Sequence, residues 1–121
     1  MLGLLKKRKL KPLHISMKSL INIIEKDYTD GYEFNLVELK LDNSKHLVGS
    51  EMDEEEQRIV FVYDGQDYST IEELKKAIVL NEKNLYENDV VVEITRACII
   101  GNEAAISSPW EEARLAEHAV F

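Results

Sequence analysis

Cysteine, proline and tryptophan are scarce in this chain of 121 residues: Cys98 stands alone, there are two prolines, and Trp110 is the one tryptophan. A single cysteine excludes an intramolecular disulfide framework and fits a reducing compartment. One cysteine and three widely spaced histidines, His14, His46 and His118, do not make a zinc site. No apolar run approaches the roughly 18 residues that a membrane-spanning helix needs. The charged N-terminus precedes no apolar signal core, so the chain is expected to be cytoplasmic.

Catalytic signatures are missing as well. There is no G-x-x-x-x-G-K-S/T loop, no G-x-G-x-x-G turn and no G-x-S-x-G elbow. Glu111, Arg114 and His118 fall on one face of an expected helix, a spacing that reads as surface ion pairing. Cys98 reads as a small core residue, since no sequence neighbour would lower its pKa. No catalytic residue, metal or cofactor is expected.

Acid is absent from the first 18 residues, which carry six basic side chains. Removing them from the net charge of −8 leaves −14 on the remainder. The chain therefore divides into a basic arm, residues 1–12, and a single acidic domain, residues 13–121. In the arm, Lys6, Lys7, Arg8, Lys9 and Lys11 mix with Leu2, Leu4, Leu5 and Leu10. That mixture suits contact with an anionic membrane or with nucleic-acid phosphates. It equally suits local packing, leucines in and lysines out. An acidic body attracts a basic protein and speeds its encounter.

Signals agree best over residues 58–80. Ile59 to Tyr63 is an unbroken β-branched and aromatic run, expected as a central strand covered on both faces. Asp64-Gly65 is a preferred pair for a type I′ hairpin turn, and residues 66–68 make a short return. Ser69-Thr70-Ile71-Glu72 fits a capping box, with Thr70 and Glu73 offering the same pattern one residue later. A helix over 69–80 is expected. Tyr63 and Tyr68 flank the turn, which reads as an ordinary hairpin or as a binding loop.

Elsewhere, Ser16 caps a helix over 16–28, with Met17, Leu20, Ile21 and Ile24 at core-facing spacing. A strand over 32–41 places Phe34 and Leu36 on one face and Val37, Leu39 and Leu41 on the other. That switch calls for a bulge near Leu36 or Val37, or a two-sided strand. Residues 45–49 are a candidate short strand. Five acids then crowd six positions from Glu51 to Glu56, a density that predicts a solvated loop. The spacing is not that of a calcium loop. Residues 89–100 form a second strong strand. Ser108-Pro109-Trp110-Glu111 is a well-formed helix start, and a helix over 108–118 follows. Its Trp110, Ala113, Ala116 and Val120 make a narrow stripe that would suit the sheet or a second copy of the helix.

The pattern predicts a two-layer α+β fold. A mostly antiparallel sheet of three to five strands carries about three helices, mainly on one face. The leading functional expectation is a non-catalytic regulatory or protein-interaction module. Its candidate contacts are Glu51, Asp53, Glu54, Glu55, Glu56 and Trp110, facing a basic protein partner. A homodimer through the C-terminal helix is a separate expectation. The alternatives are an adaptor held by Lys6, Lys7, Arg8, Lys9 and Lys11 at an anionic membrane or nucleic acid, and a small ligand-binding or enzymatic domain.

Overall fold

The computed structural model describes residues 13–100 and 103–104. It is an α+β fold whose sheet is antiparallel throughout. The strands are β1 (Leu13–Ser16), β2 (Asn35–Leu41), β3 (Ser44–Asp53), β4 (Arg58–Tyr63), β5 (Gln66–Tyr68) and β8 (Val91–Ile100), in the order β1-β8-β2-β3-β4-β5. The short β9 (Glu103–Ala104) pairs with the end of β8. A separate small hairpin joins β6 (Val79–Leu80) to β7 (Lys83–Asn84). The helices among the described residues are α1 (Met17–Thr29) and α2 (Ile71–Ala77).

All five expected strand regions are present, and β1 raises the count on the main path to six. L-H-I-S is too short an alternation to announce a strand. Its pairing with β8, Leu13 opposite Ile94 and Ile15 opposite Val92, makes it one. The third helix, 108–118, lies outside the described residues.

α1 forms where the sequence places it. The Ser16 hydroxyl accepts the Ser19 amide at 3.2 Å, and Met17, Leu20, Ile21, Ile23 and Ile24 are buried. Asp89 Oδ1 also accepts the Lys18 amide, at 3.0 Å. Beyond Asp30, Gly31 adopts φ +87 and ends the helix, a conformation that glycine enters without a Cβ clash. α2 is shorter than expected. Its cap is Thr70, whose hydroxyl accepts the Glu73 amide at 3.1 Å, while Ser69 Oγ accepts from Arg58 Nη2 at 3.0 Å. The helix stops at Ile78, and Val79-Leu80 turns instead into the small hairpin through Asn81 and Glu82, both at positive φ.

Both helices pack on one face of the sheet. Leu20, Ile21, Ile24 and Leu74 share a core with Ile15, Phe34, Val37, Leu39, Val48, Phe61, Tyr63, Val92 and Ile94. The Ile59–Tyr63 run is covered on both faces, as expected, with Val60, Phe61, Val62 and Tyr63 all buried. Its place is different, however. β4 is next to the edge strand β5, and β2 and β3 occupy the middle.

The start of β2 departs from simple alternation. Phe34 lies in the helix-side core, whereas Leu36 joins Val62 in a second cluster. Asn35, at φ +69, separates them and reverses the expected pairing of Phe34 with Leu36. The register between β2 and β8 shifts between Leu36 and Glu38 and again between Glu38 and Leu39. The irregularity thus falls where the side-chain pattern called for one. Ser50 stabilises it: its buried hydroxyl accepts the Phe34 amide at 2.6 Å. Glu38 is buried. Thr95 Oγ1 donates to Glu38 Oε1 at 2.7 Å, and Lys45 Nζ lies 3.8 Å from the same oxygen.

Candidate functional site: the acidic end of the sheet

The acidic stretch is not one loop. β3 runs through Glu51, Met52 and Asp53, opposite Val60, Ile59 and Arg58 of β4. Only residues 54–57 form the turn between the strands. Alternation explains how a strand tolerates this charge. Glu51 and Asp53 point to the face away from the helices, and the Asp53–Arg58 pairing sets opposite charges across the ladder.

Local bonds shape the turn. Asp53 Oδ1 accepts the amides of Glu55 and Glu56 at 3.0 and 3.3 Å, so one carboxylate satisfies two turn donors. Gln57 takes φ +56, and its Nε2 donates to the Glu54 carbonyl at 2.6 Å. Arg58 Nε meets Glu56 Oε2 at 2.5 Å. Glu54 and Glu55 are exposed, and among the described residues neither forms an ion pair.

More acid converges from two other elements. Glu33 Oε2 accepts the Met52 amide at 2.9 Å. Burial raises the Glu51 carboxyl above its ordinary value, and the charges of Asp67 and Glu33 raise it further. A cation brought to this end would relieve that crowding.

Apolar side chains lie at the same end. Tyr32 is 67% exposed, and Tyr28 and Met52 are each 45% exposed. The Tyr28 ring rests on Phe61, centroids 5.1 Å apart. Met52 and Ile59 pair two residues further along the strands from Ser50 and Phe61, on the same face. Tyr28 and Met52 thus lie on the helix side of this end and Glu51 and Asp53 on the other face, with Glu54 and Glu55 in the turn that joins the strands. Tyr28, Tyr32 and Met52 were not singled out from sequence as contacts, because only folding brings the end of α1 against β3. Trp110 and the basic residues Lys6, Lys7, Arg8, Lys9 and Lys11 lie outside the described residues.

A second cluster surrounds the Asp64-Gly65 turn. Both residues take positive φ, +48 and +84, as the type I′ reading requires. Asp64 does more than turn the chain. Its Oδ2 lies 2.7 Å from His46 Nδ1, and its Oδ1 accepts the Leu47 amide at 2.8 Å. The His46 ring stacks on Tyr63 at 6.0 Å. Burial pushes the Tyr63 phenol up to about 12, and the charge of Asp64 and the phenol of Tyr68 add to the rise. An Asp–His pair beside a tyrosine resembles an acid–base arrangement. Here, however, His46 Nε2 is buried without a hydrogen-bond partner, so no substrate reaches it. The pair staples the hairpin to β3.

Among the described residues, no group of three His, Cys, Asp or Glu side chains is placed to hold a metal ion. A depression of ≈ 300 Å³ lies at the opposite end, lined by Leu41, Leu80, Leu85 and Val90 with Asp42 and Lys83. It presents neither a nucleophile nor a general base paired with an orienting group. No helix among the described residues is long and apolar enough to cross a membrane. No family model, curated protein or solved structure matches the chain.

Proposed function

We propose that the protein is a non-catalytic interaction module that binds a basic protein partner at the acidic end of β3 and β4. One observation carries this reading: exposed Tyr28, Tyr32 and Met52 share that end with the exposed carboxylates Glu54 and Glu55. Aromatic and methionine side chains supply contact area at interfaces. The carboxylates select a cationic partner and speed its approach.

The test is affinity capture from a lysate of the source cell, at low and moderate salt, followed by mass spectrometry. The full chain is run beside the charge reversal Glu54→Lys/Glu55→Lys and beside Tyr32→Ala. A stoichiometric basic protein retained by the full chain, and weakened by both variants, is the expected result. Equal retention by all three chains refutes the site. Absence of any stoichiometric protein partner at either salt concentration refutes the function.

A further inference from the structure

The depression at the end of the sheet away from Glu54 and Glu55 has an apolar floor and a charged rim. Leu41, Leu80, Leu85 and Val90 line its ≈ 300 Å³. Leu85 is 1% exposed, and the other three pack half-buried against the helix-side core. Asp42, Asn81 and Lys83 complete the lining, and all three are exposed. The volume falls at the lower end for small-molecule pockets, roughly 300–1,000 Å³. It suits a compact ligand with an apolar body, not a nucleotide or a large cofactor.

Two tight turns build the walls. Asp42 and Asn43 turn β2 into β3 with φ of +49 and +68, and Asn81 and Glu82 turn β6 into β7 with φ of +54 and +65. Two positive φ in succession are the mark of a type I′ turn. Aspartate and asparagine enter this region readily, whereas glutamate does not, so Glu82 is the strained member. Such strain persists only where the surroundings enforce it, and here they do. The Leu85 amide donates to the Ile78 carbonyl at 2.9 Å, and Asn84 Nδ2 donates to the Lys75 carbonyl at 2.8 Å. These bonds fasten the small hairpin to the end of α2. A wall fixed in advance loses little freedom when a ligand arrives.

Charge decides what fits. Asp42 and Lys83 line the same depression, yet they form no ion pair with each other, and among the described residues neither side chain makes a hydrogen bond or an ion pair. A purely anionic ligand is repelled by Asp42, and a purely cationic one by Lys83. A ligand with both charges on an apolar body satisfies both residues. We propose that the depression binds a free α-amino acid with a branched apolar side chain. Its ammonium meets Asp42, its carboxylate meets Lys83, and its side chain rests on Leu41, Leu80, Leu85 and Val90. The site is separate from the exposed Tyr28, Tyr32 and Met52 and does not depend on the proposed protein partner.

Amide chemical-shift titration of the full chain reads the site residue by residue, and it detects the millimolar affinity expected of so small a ligand. Four probes separate the contributions: leucine, N-acetyl-leucine without the ammonium, leucinamide without the carboxylate, and glycine without the side chain. Leucine is expected to move the amides of residues 41–43 and 80–85 saturably, and to bind several-fold tighter than the other three. Asp42→Asn keeps a residue suited to positive φ and should abolish the preference for leucine over N-acetyl-leucine. Lys83→Gln should abolish the preference over leucinamide. No saturable shift with leucine at these residues overturns the proposal, as does glycine binding as tightly as leucine. N-acetyl-leucine or leucinamide matching leucine on the unaltered chain overturns it in favour of a peptide end. Preferences that both folded variants retain overturn the assigned charges. Should a variant fail to fold, the four probes on the unaltered chain decide.

Discussion

Replacing Gly49 with alanine should be among the most damaging single-methyl additions in this protein. A Cβ built at Gly49 falls inside the envelope of the Asn35 carbonyl oxygen, 2.8 Å from Asn35 C and 3.0 Å from Leu36 Cα. All three are backbone atoms, so no flexible side chain can swing aside. Ordinary carbon contacts are about 3.5–4.0 Å, so the backbone must withdraw by roughly 1 Å. It has little room to do so. β2 is held between β3 and β8, and the Phe34 amide beside the contact is tied to Ser50. Overpacking costs about 1–3 kcal/mol, and losing a buried hydrogen bond about 1–3 more. The expected total is about 2–6 kcal/mol, against a stability on the order of 6–18 kcal/mol for a chain of this size. Urea denaturation followed by circular dichroism measures it, and the midpoint should fall with little change in slope. Gly65→Ala is the control. A Cβ at Gly65 would have nothing within 4 Å, and only the φ of +84 opposes the change, at about 1–2 kcal/mol. A Gly49→Ala loss no larger than that of Gly65→Ala would refute the close approach.

Other expectations follow from the same contacts. Ser50→Ala strands the buried Phe34 amide and should cost about 1–3 kcal/mol in urea denaturation; a loss within error of zero would mean that the amide finds another acceptor. Asp64→Ala removes the acceptor of the Leu47 amide from a residue at positive φ and should cost about 1–3 kcal/mol. Asp64→Asn keeps an acceptor and tolerates that φ, so equal losses in the two variants would sink the bridging role. The raised Tyr63 phenol makes stability fall in alkali: below pH 10 it is neutral in both states, whereas between pH 10 and about 12 it ionises first in the unfolded chain. Tyr63→Phe should flatten this part of the stability profile, and an unchanged alkaline slope would assign the loss to other groups. Diethyl pyrocarbonate should modify His14, whose side chain is 56% exposed, well before His46, whose Nε2 is buried; comparable rates by mass spectrometry would reopen His46 to an acid–base role.

Local chemistry was legible in the sequence; choices made across the sheet were not. Ser16, the Asp64-Gly65 turn and the α1 stripe act within a few residues, and each stands where its pattern placed it. The capping of α2 shows the limit. Ser69 and Thr70 fit equally well until Arg58, eleven positions before Ser69, takes the Ser69 hydroxyl. Charge density predicted a loop from Glu51 onward, yet pairing with β4 holds Glu51 to Asp53 in a strand. Glu51 and Asp53 share the face away from the helices, and the Asp53–Arg58 pairing offsets part of their repulsion. The switch at Phe34 and Leu36 was visible as a break in alternation. Its cause, positive φ at Asn35, carries no unique sequence signal, because asparagine also serves ordinary turns.

The candidate site follows the same division. Glu54 and Glu55 could be named from sequence because a turn so rich in acid must be solvated. Their apolar companions could not, since Tyr28 and Tyr32 precede Met52 by at least twenty residues and reach the same end of the sheet only once β2 pairs with β3. His46 and Asp64 show why proximity alone does not make a catalyst. With Nδ1 directed at the carboxylate, the reactive nitrogen must be Nε2, and packing closes it off. The same Asp64 carboxylate also bonds the Leu47 amide, so the pair fixes β3 against the hairpin.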